Sequence, residues 1–133
     1  MPEIPVVPAL WRFPAHPASV PRARCALTGW LPKDVPGGVR ADLALLASEL
    51  VTNAVRYGAA ADEFVELVAW PADGYYWVAV SDAGDGRPVV RRPPDVERES
   101  GRGLVLVDAL AAAWGVRPRP YRGKSVVAGL ALP

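Results

Sequence analysis

The fold of this chain is decided by residues 48–58, which read SELVTNAVRYG. They end a stretch whose apolar side chains recur at helical spacing, at Leu43, Leu46, Ala47, Leu50 and Ala54. Glu49 and Asn53 are four apart, so a helix places them one turn apart on the same face. A carboxylate stacked on a carboxamide suits Mg2+, or a water or hydroxyl that must be oriented. The alternative is a solvated polar face, close to which Arg56 would also fall.

Two glycine-bearing segments follow this helical stretch. Residues 82–86 read DAGDG after an alternating strand pattern, and residues 101–104 read GRGL where a second helical pattern begins. Glycines such as Gly84 and Gly86 allow the backbone to approach a ring or a phosphate closely. Gly101 and Gly103 precede a helix start, where free N–H groups and the helix dipole bind phosphate. Either segment alone is also typical of an ordinary turn.

The order of these segments is more specific than any one of them. Glu-x-x-x-Asn, Asp-x-Gly-x-Gly and Gly-x-Gly resemble, in that order, the N box and the two glycine boxes of one ATPase superfamily. Type II gyrases, sensor histidine kinases and bacterial anti-sigma factor kinases share it. Residues 49–56 (ELVTNAVR) and 123–126 (GKSV) look most like the anti-sigma factor serine/threonine kinases. The resemblance covers nearly the whole chain, and it implies a Bergerat-type fold that holds ATP and Mg2+ between helices and sheet.

The resemblance also implies roles for single residues. Asp82 is expected to accept a hydrogen bond from the adenine amino group, and Asn53 to ligate Mg2+. Glu49 is expected to orient or deprotonate the attacking hydroxyl, as the catalytic residue. The remaining residues expected to bind the nucleotide are Arg56, Gly84, Gly86, Gly101, Arg102, Gly103, Leu104 and Ser125.

Some of these roles have open alternatives. Arg56 either balances phosphate charge or forms a surface salt bridge, and Arg102 either assists binding or faces water. Ser125 is expected to hydrogen-bond near adenine or to a bridging water. Its neighbour Lys124 is equally well explained as a solvated turn residue. For Asp82 the alternative is a strand-end side chain in an Asx turn.

The length of the chain predicts one domain over residues 9–133, preceded by a flexible, proline-broken tail over residues 1–8. Ser19 is expected to be the N-cap of the first helix, and Gly58 to end the second. The expected elements are a strand over 9–13, helices over 19–31 and 39–57, strands over 64–70 and 75–82 around a turn at 71–74, a mobile loop over 87–100, a helix over 104–114, and strands over 116–119 and 125–132. Together they predict a two-layer α/β sandwich with a mixed, mainly antiparallel sheet and helices on one face.

Composition narrows the classes of function. The chain has 133 residues and a formal net charge of +1, which argues against a basic nucleic-acid-binding surface. No apolar run is long enough to span a bilayer, and no signal-peptide pattern is present, so we expect a cytoplasmic protein with no membrane contact. Cys25 and His16 are the only cysteine and histidine, which excludes a Cys/His metal site and an internal disulfide.

Three functions are compatible with the sequence. The first is an ATP-dependent protein serine/threonine kinase of the anti-sigma type, which phosphorylates an anti-anti-sigma partner and regulates a sigma factor. The second is a nucleotide-binding module that contacts partners with little or no phosphotransfer, and the third is a structural domain with accidental glycine boxes. No histidine-bearing dimerisation helix is evident, so a sensor histidine kinase is not expected. The resemblance further implies self-association into a homodimer.

Overall fold

The computed structural model describes residues 8–58, 63–82, 107, 110–118 and 124–131. Its elements are β1 (Ala9–Pro14), α1 (Ser19–Trp30), α2 (Gly37–Asn53), a π-helical turn (Ala54–Gly58), β2 (Phe64–Ala72), β3 (Tyr75–Asp82), β4 (Ala113–Pro118) and β5 (Lys124–Ala131). The predicted tail up to residue 7 and the predicted loop over 87–100 lie outside the described residues.

The strands form one open sheet in the order β1-β2-β3-β5-β4. Each neighbouring pair among these strands is antiparallel. Helix α1 packs on α2 and on β1, and α2 also packs on β2, β3 and β5. The predicted two-layer sandwich with helices on one face is therefore confirmed, and the described part of the sheet is antiparallel throughout.

The core lies between the two helices and one face of the sheet. Alternate residues of β2 and β3 point into it, and they meet the apolar stripe of α2. Its fully buried large side chains include Leu27, Leu43, Leu46, Leu50, Val51, Val65, Leu67, Val78, Val80 and Val107. Burial of each such side chain contributes about 1.5–3 kcal/mol. The buried side chains of α2 therefore hold this helix on the sheet.

The hairpin between β2 and β3 is tighter than predicted. We expected a turn over residues 71–74, but Pro71 pairs with Tyr76 and Ala72 with Tyr75. The turn consists of Asp73 and Gly74, whose φ angles are 54° and 81°. Two consecutive positive φ angles define a type I′ turn, whose twist matches that of the flanking strands. Pairing therefore continues two residues closer to the tip than the position of Pro71 suggested.

Two predicted helix boundaries are also wrong. Ser19 is not the N-cap of α1, because Ala18 occupies that position. The Ser19 hydroxyl instead donates to the Pro14 carbonyl at 2.6 Å and is buried, which ties the start of α1 to the end of β1. Helix α2 begins at Gly37 rather than Val39, and its α-helical pattern ends at Asn53 rather than Tyr57. The π-helical turn then continues to Gly58, the residue predicted to end the helix.

The last predicted helix ends earlier than expected. Val107 and Leu110 are helical, but β4 begins at Ala113 and includes Trp114. The backbone N–H of Ala112 already donates to the carbonyl of Gly129 in β5, at 2.8 Å. Pairing with β5 therefore takes over the backbone hydrogen bonds before the helical pattern of the sequence is complete.

An aromatic cluster lies on the face of the sheet opposite the helices. Trp70 and Trp77 stack with ring centroids 6.4 Å apart and an interplanar angle of 18°. The centroid of Tyr75 lies 5.5 Å from that of Trp77. The Trp77 indole N–H donates to the Ala72 carbonyl at 3.3 Å, so the ring has a defined position on the sheet.

Candidate functional site

The end of α2 presents the two polar residues that the sequence singled out. Glu49 and Asn53 are both half-buried and lie within regular α-helix, so the four-residue spacing keeps them on one face. Within the part of the chain that the structure describes, neither side chain forms a hydrogen bond or an ion pair. A carboxylate and a carboxamide therefore remain available to a ligand at this position.

The neighbouring hydroxyls are occupied within the helix layer. Ser48 donates to the Ala44 carbonyl at 2.9 Å and accepts from the Arg24 guanidinium at 3.3 Å. Thr52 donates to the Ser48 carbonyl at 2.7 Å. The hydroxyl protons of Ser48 and Thr52 are therefore already used within α2 and do not reach Glu49 or Asn53.

The π-helical turn directly after Asn53 changes the position of Arg56. The prediction placed Arg56 close to the face of Glu49 by assuming α-helical geometry over seven residues. A π-helix closes its bonds from i to i+5 and rotates less per residue than an α-helix, which displaces Arg56 from that face. Its side chain is exposed and takes part in an interaction of its own, and its contribution to phosphate binding stays a prediction.

Asp82 is the last residue of β3, and it points toward the helix layer. It shares this face of the strand with Val78 and Val80, and it lies opposite Val65 of β2. Its side chain is only 5% exposed. A carboxylate buried this far at the end of a strand suits recognition of a hydrogen-bond donor better than it suits a solvated turn.

Lys124 and Ser125 lie at the adjacent end of β5, with their side chains on opposite faces. Ser125 is in register with Ser81, and their hydroxyl oxygens are 2.5 Å apart on the face away from the helices. Lys124 shares the helix-facing side with Val126 and Ala128, and its Nζ lies 3.9 Å from Asp82 Oδ2. Ser125 and Asp82 therefore lie on opposite faces of the sheet, and the role of Ser125 in nucleotide binding stays a prediction.

These groups lie at one end of the molecule. Only five residues connect the π-helical turn at Gly58 to β2 at Phe64, and the next residue, Val65, pairs with Asp82. The π-helical turn also contacts β3 directly. The end of α2 and the acidic end of β3 thus border the same region.

The glycine boxes themselves lie outside the described residues. This applies to Gly84, Gly86, Gly101, Arg102, Gly103 and Leu104. Their expected contacts with phosphate stay predictions. What the structure adds is their attachment point, because residue 83 follows directly from the buried Asp82.

The donor groups present fit a phosphate-bound Mg2+ better than a metal held by protein alone. Among the described residues there is no group of three or more His, Cys, Asp or Glu side chains that could hold a metal ion. Mg2+ commonly uses one or two protein oxygens together with waters and the phosphates of its substrate. The half-buried Asn53 carboxamide, which has no hydrogen bond within the described residues, fits that role.

Comparison with known proteins identifies the family of this chain. Residues 13–128 match the histidine kinase-like ATPase domain, so the chain belongs to that family. The family implies ATP binding. No curated protein matches the sequence.

Two solved structures from the same bacterium resemble the fold. The blue-light activated histidine kinase of Erythrobacter litoralis EL346 is 25% identical, with a TM-score of 0.61 over 86% of this chain and 41% of its own. The histidine kinase domain from that protein is 24% identical, with a TM-score of 0.57 over 90% of this chain and 62% of its own. This chain therefore spans less than two thirds of either relative, and the second likeness concerns the fold alone.

In the described residues, no helix combines the length and apolar character that crossing a membrane requires.

Sequence reasoning missed the position of Lys124. The glycine before Lys124 predicts a turn, and a turn alone does not distinguish a solvated lysine from one near the nucleotide. The alternation of β5 carries the missing signal, because Lys124 has the same parity as the core-facing Val126, Ala128 and Leu130. Only the pairing of β5 with β3 shows which residue this parity places it against.

Proposed function

We propose that this chain is an ATP-dependent protein serine/threonine kinase of the anti-sigma type. It binds ATP with Mg2+ and transfers the γ-phosphoryl group to a hydroxyl of an anti-anti-sigma partner. By modifying that partner it regulates the availability of a sigma factor, and so transcription. The resemblance of residues 49–56 and 123–126 to that kinase family supports this more specific assignment within the ATPase family.

The observation that carries the proposal is the position of Glu49, which lies one helical turn from Asn53 on the same face of α2. A module that only binds nucleotide needs the Asn53 carboxamide for the metal. It does not need the half-buried Glu49 carboxylate one turn away. Glu49 is half-buried and has no hydrogen bond or ion pair within the described structure, so its carboxylate is available. A carboxylate left available in this way is suited to accept a proton from a hydroxyl that arrives with a protein substrate.

The chemistry assigned to these residues is in-line phosphoryl transfer. Bound Mg2+ would supply neutralisation of the phosphate charge, held in part by Asn53. Glu49 orients the substrate hydroxyl and accepts its proton as the oxygen attacks the γ-phosphorus. The new O–P bond forms as the bond to the β-phosphate oxygen breaks, and ADP leaves.

The test follows phosphate from ATP to protein. Proteins that co-purify with the chain are incubated with it, γ-labelled ATP and Mg2+, and labelled residues are identified by mass spectrometry. The expected product is a phosphoserine or phosphothreonine, which survives acid treatment. Label that is lost in acid would indicate phosphohistidine and refute the serine/threonine assignment.

Two variants of α2 separate catalysis from binding. Glu49→Gln keeps the shape and removes the base, so ATP affinity should be unchanged and phosphotransfer should fall by about 10²–10⁴-fold. Asp42→Asn is the matched control, since it neutralises another half-buried carboxylate two turns earlier on the same helix. A wild-type chain that binds ATP but labels no co-purified protein would favour the second function, a nucleotide-binding module.

A further inference from the structure

The structure places a donor and an acceptor of hydrogen bonds side by side where β3 ends and β5 begins. Asp82 ends β3, and Lys124 begins the neighbouring β5. Ser81 and Ser125 are in register, so Asp82 and Lys124 are the next cross-strand neighbours, on the helix-facing side. Lys124 Nζ lies 3.9 Å from Asp82 Oδ2.

This pair is poorly explained as a purely structural salt bridge. A separation of 3.9 Å is longer than a direct hydrogen bond, so the contact between the two groups is an ion pair without a hydrogen bond. The lysine side chain is 44% exposed and the aspartate 5%, so the ammonium lies on the more accessible side of a buried carboxylate. A half-exposed ion pair of this kind adds little to stability.

The two groups match one edge of adenine. A carboxylate such as that of Asp82 only accepts hydrogen bonds, and an ammonium such as that of Lys124 only donates them. Adenine presents its 6-amino donor beside the ring acceptor N1. Guanine presents the reverse order, an acceptor at O6 beside a donor at N1, so in the same pose both protein groups would meet the wrong partner.

We propose that Lys124 is a specificity-determining residue that donates to adenine N1 while Asp82 accepts from the adjacent amine. The inference rests on the proposed binding of ATP, and adds a second point of base recognition to it. The 6-amino group is also flanked by N7, but N1 lies on the edge farthest from the sugar. That edge can enter deepest toward a carboxylate as buried as Asp82, while the phosphates stay near α2.

The experiment removes in turn the two ring nitrogens that flank the amino group, N1 and N7. Titration calorimetry measures ATP, 1-deaza-ATP and 7-deaza-ATP binding to the full chain, to Lys124→Met and to Lys33→Met. Lys33 is the matched control, since it is the only other lysine and lies exposed between α1 and α2. In the wild type and in Lys33→Met, loss of N1 should weaken binding about 10- to 100-fold, the range for a bond to a charged group.

The decisive comparison is the Lys124→Met protein. It should bind ATP about as weakly as the wild type binds 1-deaza-ATP, and removal of N1 should cost it nothing further. The effect of removing N7 should be the same in all three proteins. The wild-type data alone give a second test that requires no variant, because loss of N1 must weaken binding more than loss of N7.

Each other outcome overturns the inference in a distinct way. Equal losses on N1 removal in the wild type and in Lys124→Met would show that Lys124 does not contact N1. A loss on N7 removal that disappears in Lys124→Met would move the contact to the other edge of the base. A wild-type chain that binds no ATP would refute the proposed function, and this inference with it.

Discussion

Substitution of Gly129 by alanine should destabilise the protein through a single, well-defined collision. Gly129 in β5 lies opposite Trp77 in β3, and the indole lies directly over it. A Cβ atom added at Gly129 would be 2.6 Å from Trp77 Cε3 and Cζ3, and 3.0 Å from Cδ2. Carbon atoms in contact are normally about 3.5–4.0 Å apart, so the ring must retreat by about 1 Å.

The size of the effect follows from what holds the ring. The three close atoms belong to the rigid indole, which stacks on Trp70 and donates to the Ala72 carbonyl. Overpacking of this kind costs about 1–3 kcal/mol. The stack is worth about 0.5–1.5 kcal/mol, and the hydrogen bond a similar amount. These terms overlap, so we expect a loss of about 2 kcal/mol, or roughly 8 °C in melting temperature for a chain of this size.

The assay is urea or thermal unfolding followed by far-ultraviolet circular dichroism, with Gly115→Ala as the control. Gly115 lies on the same face of the sheet in β4, and a Cβ atom there would meet nothing within 4 Å. Neither glycine has a positive φ angle, so backbone strain does not separate them. Gly115→Ala should leave stability unchanged or raise it by up to ~1 kcal/mol, because alanine restricts the unfolded chain.

The difference between the two variants is the quantity that decides. Equal stability of Gly129→Ala and Gly115→Ala would show that Trp77 is not held against β5, and the reasoning would fail. Near-ultraviolet circular dichroism adds an independent check, since displacement of Trp77 alters its stack with Trp70. That spectrum should change in Gly129→Ala only.

Three further predictions concern the nucleotide site. In thermal-shift measurements, ATP with Mg2+ should stabilise the wild type far more than GTP does, and Asp82→Asn should reduce the ATP preference about 10- to 100-fold by removing a charged acceptor; equal stabilisation of the wild type by the two nucleotides would contradict the adenine assignment. Asn53→Ala should weaken ATP binding about tenfold, or ~1.4 kcal/mol, in the presence of Mg2+ and little in EDTA, and an equal loss in both conditions would argue against a metal ligand. Gly103→Ala, outside the described residues, should weaken ATP more than adenosine in titration calorimetry, because only ATP has phosphates to lose; parallel losses would indicate general misfolding.

Much of the fold could be predicted from the sequence because its signals are local. The apolar repeat from Leu43 to Ala54 identifies a helix with one buried face, and the alternation in residues 75–82 identifies a strand. The spacing of Glu49 and Asn53 fixes their common face, since helical geometry acts over four residues without help from the rest of the chain. The order of the motifs then sufficed to identify the ATPase family.

Tertiary contacts decided what local signals could not. Trp114 fits a helical pattern, but Ala112 and Ala113 pair with β5, because a paired sheet edge satisfies backbone groups that a helix end leaves open. Arg56 follows Glu49 by seven residues, which would place both on one face of an α-helix, but the π-helical turn displaces Arg56 from that face. Lys124 and Asp82 are far apart in the chain, and no local sequence pattern predicts that they lie side by side. Their approach depends on the register of β3 with β5, which is set by the whole buried face of the sheet.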